Sequence, residues 1–183
     1  MISGWSLFTE TVEMTGVDRI EIQKHLETAE GYAALGMHDD ALTEVDALLA
    51  EQPDCEDVIS AKAFLLLCAR RYADAEPWFE KLLAVQPKNV DGWTHLAYCR
   101  RRTKSLEAAI ETLEHARRLR ADHPLANYNM ACYRAVQGRH EEALRLLETA
   151  IRKDAAYCGL ACEETDFDSM RHLPRFLSLV GQS

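Results

Sequence analysis

No stretch of this 183-residue chain is apolar for long enough to cross a bilayer: the longest uncharged apolar run, Ala63 to Ala69, falls far short of the roughly 20 residues a spanning helix needs. No basic residue precedes Arg19, and no signal-type hydrophobic stretch opens the chain, so a cytoplasmic protein without membrane insertion is expected. There is no glycine-rich phosphate loop and no serine nucleophile elbow. Paired metal-ligand spacing is also missing. Cys158 and Cys162 stand four apart with His172 beyond, but no fourth ligand is evident, and no zinc site is expected. A dominant basic face is lacking as well: the net charge is −9, and the first 55 residues hold twelve acids against two bases. The basic run Arg100 to Arg102 with Lys104, Arg117, Arg118 and Arg120 is interleaved with acids, so nucleic acid is not an expected partner.

What is present is a capacity to build a core, with 48% hydrophobic and 28% charged residues. Six cysteines in a chain this apolar are not needed as disulfide staples, and reduced, mostly buried thiols are expected. The length suits one compact domain or one repeat array.

A period of 34 residues runs through the sequence. Ala29, Ala63, Ala97 and Ala131 form one column, and Ala41, Ala75, Ala109 and Ala143 a second. Val45, Phe79, Leu113 and Leu147 form a large apolar column, Leu48, Leu82, Ala116 and Ala150 another, and Pro53 and Pro87 lie one period apart. A unit of this length is two helices: alanines let the pair approach closely, and the larger residues fill the seam. One pair cannot bury its own apolar face, so stacking must complete the core.

Boundary signals fall in the same frame. Asp18 with Glu21 forms a capping-box pattern, flanked by Val17 and Ile22 as a hydrophobic staple. Asp54 and Asn89 are candidate caps for later helices, Pro124 suits a first helical turn, and Gly36 and Gly138 lie where helices must end.

These columns resemble the tetratricopeptide repeat. Its signature is carried by Ala29, Tyr32, Gly36, Ala41 and Pro53 in the first unit, Ala63, Ala75, Phe79 and Pro87 in the second, Trp93, Ala97 and Ala109 in the third, and Ala131, Gly138 and Ala143 in the fourth. Arg100 and Arg134 depart from it where an aromatic is usual, and Ala121 and Ala155 replace the closing proline. The resemblance implies an all-α fold, a right-handed superhelical array of four repeats at residues 22–55, 56–89, 90–123 and 124–157. Residues 1–21 and 158–183 are then the terminal caps.

The tail resembles the closing segment of many bacterial arrays of this type, with Phe167, Met170, Phe176 and Leu177 set against the last repeat, which suggests a bacterial source. At the other end, Trp5, Phe8 and Val12 share a helical face with Gly16 as its stop. That face either caps repeat one, drives homodimerisation through residues 1–17, or lies in a neighbour's groove.

In the family the first helices of successive repeats line a concave groove. The matching positions here are Glu30 in repeat one, Asp57, Phe64 and Leu67 in repeat two, Asp91, Tyr98, Arg101 and Arg102 in repeat three, and Tyr128 in repeat four. Phe64, Leu67, Tyr98 and Tyr128 are candidate apolar anchors, and Arg101 with Arg102 offers donors for a carboxylate. The expected partner is another protein, presenting a peptide or helix with apolar anchors and an acidic group. The lysine–asparagine clamp by which some members grip chaperone tails is absent: its positions hold Leu26, Glu30, Ala61, Asp91 and His95 in one frame, and Ser60, Phe64, His95, Leu125 and Asn129 in the next. With no insertion to carry a catalytic constellation, the function expected is that of a non-enzymatic adaptor or scaffold needing no cofactor. A small chaperone resembling those of secretion systems, self-associating through its N-terminus, is the alternative.

Overall fold

The computed structural model describes residues 16–181, with side chains from Arg19 onward. The described chain forms α1 (Gly16–Ala34), α2 (His38–Glu51), α3 (Glu56–Cys68), α4 (Tyr72–Val85), α5 (Val90–Thr103), α6 (Leu106–Leu119), α7 (Pro124–Val136) and α8 (His140–Lys153). A tail follows, made of α9 (Ala156–Glu163), a 3-10 helix (Thr165–Met170) and α10 (Pro174–Leu179). Helices pack as the pairs α1/α2, α3/α4, α5/α6 and α7/α8, and each pair stacks on the next. The result is an all-α repeat array.

The 34-residue columns are its interior. Every alanine of the two alanine columns is buried, as are Val45, Phe79, Leu113 and Leu147. Two apolar clusters, one spanning Ile22 to Cys99 and the other Ala97 to Val180, meet at Trp93, which packs against both. A fully buried phenylalanine or leucine stabilises the fold by about 1.5–3 kcal/mol, so these columns dominate its energetics.

The sharp turn between paired helices recurs with the same hydrogen bonds. Gly36 has φ +77° and Gly138 φ +72°, and in the second repeat Arg70 takes φ +59° at the same register. In each case the following residue donates its N–H to a carbonyl five residues back: Met37 to Tyr32, Arg71 to Leu66, Arg139 to Arg134. A left-handed conformation costs an L-residue about 1–2 kcal/mol, partly offset for glycine by unfolded-state entropy. Arg70→Gly is therefore expected to stabilise the chain by about 0.5–1 kcal/mol in urea unfolding; a loss of stability would contradict this reading.

Some boundary expectations are corrected. Asn89 does cap α5, accepting from the Gly92 N–H at 2.8 Å, and Pro124 opens α7. Asp54 does not cap α3; Cys55 holds that position without a side-chain cap, and the Asp54 carboxylate lies 3.4 Å from Lys81 Nζ. The helix begins one residue later than the acid could serve. Gly16 and Asp18 both lie within the described part of α1, so Gly16 is no stop and Asp18 is not an N-cap. The aromatic face through Trp5, Phe8 and Val12, and the dimerisation expected of residues 1–17, lie outside the described residues, apart from the first two residues of α1.

The tail covers the last repeat. Phe167, Met170 and Phe176 are fully buried in the second cluster, joined by Leu173, Leu179 and Val180, while Leu177 is half-buried and takes less part than expected. The cysteines form no disulfide among the described residues, but only Cys99 and Cys132 are buried; Cys68 is exposed and the others are half-buried, which corrects the expectation of mostly buried thiols. Burial, with the nearby Glu76 charge, pushes the Cys99 thiol up to about 12, so it stays protonated and inert.

A polar column escapes apolar periodicity. Asp46, Glu80, Glu114 and Glu148, one period apart on the second helices, each meet a cation from further along the chain: Lys62 at 2.6 Å, Arg100 at 2.7 Å, Arg134 at 3.5 Å and Arg175 at 2.9 Å. Arg100 and Arg134 occupy the aromatic position of the repeat and tie adjacent units through charge where an aromatic would do so by packing.

Candidate functional site

Seven of the nine expected groove residues line two cavities, Glu30, Asp57 and Phe64 the first and Tyr98, Arg101, Arg102 and Tyr128 the second. A cavity of about 500 Å³ opens between α1 and α3. Phe64, 36% exposed, stands in its wall with Leu26, Ala33 and Ala61, and Glu30 and Asp57 provide its acidic groups. Phe64 is held upright by edge contacts to Phe79, with centroids 5.8 Å apart, and to His95 at 4.7 Å. His95 is itself stacked on Phe79 at 5.8 Å. Burial lowers the His95 pKa against the raising influence of Asp91, so the ring beneath Phe64 is neutral at physiological pH.

The second cavity, about 190 Å³, is lined by Tyr98, Arg101 and Arg102 of α5, by Tyr128 and Tyr133 of α7, and by Glu164 to Asp166 of the tail. Tyr98 packs edge-on against Tyr72 at 5.8 Å. The Arg102 guanidinium covers the Tyr98 ring at 5.1 Å and donates to its hydroxyl at 3.1 Å, a cation–π arrangement that stiffens both side chains. Arg101 is half-buried and its Nε has no partner. Burial raises the Asp166 pKa, with repulsion from Glu164 adding to it, against the lowering influence of Arg101 and Arg102.

Three of the expected groove residues also make contacts within the protein. Tyr128 is only 7% exposed, tilted against Tyr157 at 4.9 Å and set edge-on to Phe167 at 5.9 Å, because the tail lies across it. It lines the cavity but offers no open anchor. Leu67 packs at the edge of the first apolar cluster and does not line the α1–α3 cavity. Asp91 stays exposed but also has a partner: His123 accepts the Ala126 N–H on Nδ1 at 3.3 Å, capping α7, and its Nε2 meets the Asp91 carboxylate at 3.0 Å. Asp91 thus links repeat three to the start of repeat four.

Glu164 and Asp166 were not among the expected site residues. The signal available was the acid-rich tail around Phe167: once Phe167 anchors the tail on α7, its neighbours must lie near the groove. Among the described residues, no group of three or more histidine, cysteine or acidic side chains is placed to hold a metal ion. No helix among them is long and apolar enough to cross a membrane.

Comparison with known proteins agrees with the architecture. The family model for anaphase-promoting complex, cyclosome, subunit 3 matches residues 68–150. Superkiller protein 3 of Saccharomyces cerevisiae is 30% identical over 83 residues, which is 45% of this chain but only 6% of that protein. A thermophilic TPR protein of Thermus thermophilus superposes with a TM-score of 0.70 at 22% identity, covering 86% of this chain and 87% of its own. MamA from Desulfovibrio magneticus RS-1 superposes with a TM-score of 0.65 at 19% identity, covering 73% and 76%. The chain shares its fold with solved tetratricopeptide-repeat arrays.

Proposed function

We propose that this chain is a non-enzymatic adaptor that holds a segment of a partner protein on its concave face, with an apolar anchor of that segment seated against Phe64 and Leu26 between α1 and α3. The observation that carries this reading is the open cavity of about 500 Å³ around Phe64, an aromatic ring held in place by Phe79 and His95 and left uncovered by the described chain. Rigid aromatic side chains at the centre of a concave surface contribute most to binding energy. Glu30 and Asp57 give the cavity an acidic character with no base in its lining, so the anchor is flanked by a cation on the partner. The partner's acidic group is left to the exposed guanidinium of Arg102, further along the same face.

The test is affinity capture from the source cells, comparing wild type with Phe64→Asp and with a Glu30→Lys, Asp57→Lys double change. Burying an unpaired carboxylate at a hot spot costs about 2–4 kcal/mol of binding, so Phe64→Asp should reduce recovery of the specific partner at least about thirtyfold. Phe64 is partly exposed, so the fold should survive. Identical sets of partners from wild type and Phe64→Asp would refute the reading.

A further inference from the structure

The cavity between α5, α7 and the tail has the features of a small-molecule site. The tail forms one of its walls, and two of its polar groups have no partner among the described residues. Tyr133 is only 3% exposed and its hydroxyl accepts and donates nothing. The Nε–H of Arg101 is likewise buried and unpaired. Buried polar groups are almost always satisfied, so two orphans lining one cavity mark a place where something else completes the hydrogen bonds. Arg102, beside them, is turned onto Tyr98 and not toward a carboxylate.

The lining is also balanced in charge: two guanidinium groups, Arg101 and Arg102, share it with two carboxylates, Glu164 and Asp166. An anion alone would satisfy the arginine and the tyrosine but leave the acids facing one more negative charge. A cation alone would leave Arg101 and Tyr133 unpaired. A molecule carrying both charges answers both sets of groups without adding net charge to a half-buried site. Burial and Glu164 raise the Asp166 pKa despite the two arginines, as is expected of a carboxylate lacking an immediate cationic partner.

We propose that this cavity binds a small zwitterion of amino-acid size, its carboxylate held by Arg101 and the Tyr133 hydroxyl and its ammonium group by Asp166 and Glu164. The size follows from the volume, about 190 Å³, which admits a small amino acid and excludes a folded segment. Because the tail forms one wall, occupancy ties the tail to α5 and α7. This site is distinct from the open α1–α3 cavity, and its ligand contacts, Arg101, Tyr133, Glu164 and Asp166, are not those assigned to the partner segment.

Isothermal titration calorimetry and thermal unfolding of the full chain, with glycine and L-alanine as probes and acetate and ethylamine as single-charge controls, test this directly. The amino acids should bind and raise the Tm, and both controls should bind at least about tenfold more weakly. Tyr133→Phe removes a hydroxyl that makes no hydrogen bond among the described residues, so it should fold normally and bind at least about tenfold more weakly than wild type. Arg101→Gln should do the same. Absence of any binding by the amino acids, leaving ordered water as the only occupant, would overturn the proposal. So would acetate or ethylamine binding as tightly as glycine, or undiminished binding by Tyr133→Phe.

Discussion

Phe167→Ala should lower the unfolding free energy by about 3–5 kcal/mol, the cost of truncating a fully buried phenylalanine. Phe167 has no exposed surface and touches Tyr128 edge-on and Phe176 at a centroid distance of 5.8 Å. It is the residue through which the 3-10 helix grips α7, and a terminal repeat without its cover exposes an apolar face. Two effects should therefore appear together: a lower urea midpoint, and faster amide exchange in α7 than in α3. Phe167→Leu keeps most of the volume and should cost about 1.5 kcal/mol or less. If Phe167→Ala loses under about 1 kcal/mol, the tail is not the cap described above.

The second large effect is expected at Arg100, whose guanidinium meets Glu76 at 3.2 Å, Glu80 at 2.7 Å and the Thr112 hydroxyl at 2.7 Å. Glu76 is only 7% exposed and also accepts from Lys104 and from Thr103 at 3.0 Å. Arg100→Met preserves the aliphatic stem but leaves the Glu76 carboxylate with fewer partners. Breaking a buried pair on one side costs about 3–5 kcal/mol, and with Lys104 and Thr103 still in place about 2 kcal/mol is expected here.

The same site has a pH signature. Burial opposes ionisation of Glu76, but the hydrogen bonds from Lys104, Thr103 and Arg100 outweigh it and hold the pKa below the ordinary glutamate value. A carboxyl with a lowered folded-state pKa contributes stability that is fully present above its unfolded-state pKa and is lost as pH falls through the folded-state value. The advantage of wild type over Arg100→Met should thus be constant from neutral pH down to the ordinary carboxylate range and shrink at lower pH. Equal stabilities at pH 7, measured by urea unfolding, would show that Lys104 and Thr103 suffice for Glu76.

The two arginines at the aromatic position illustrate how far a sequence can be read. Arg100 and Arg134 are visible as departures from the repeat, and the 34-residue period is enough to place them facing a neighbouring helix. Their partners are not recognisable from the sequence, because an acid column such as Asp46, Glu80, Glu114 and Glu148 also matches an ordinary solvated helix face. Only the distances between repeats distinguish a ladder of ion pairs from surface charge. The same holds for capping: Asn89 and Asp54 are equally good caps by residue type, and the turn geometry at Cys55 decided against one of them.

By itself the sequence determined the repeat, its period, the core columns and the helical class, since which residues share a face depends only on local helix geometry. Tertiary structure decided which side chains of the first helices remain open. The tail laid across α7 buried Tyr128 and brought Glu164 and Asp166 to the arginines, and His123 took up Asp91. Those outcomes depend on contacts between residues far apart in the chain and on the path of a segment without the repeat's period. No local pattern encodes them, and the aromatic at Phe64 stays available because nothing in the described chain folds back over it.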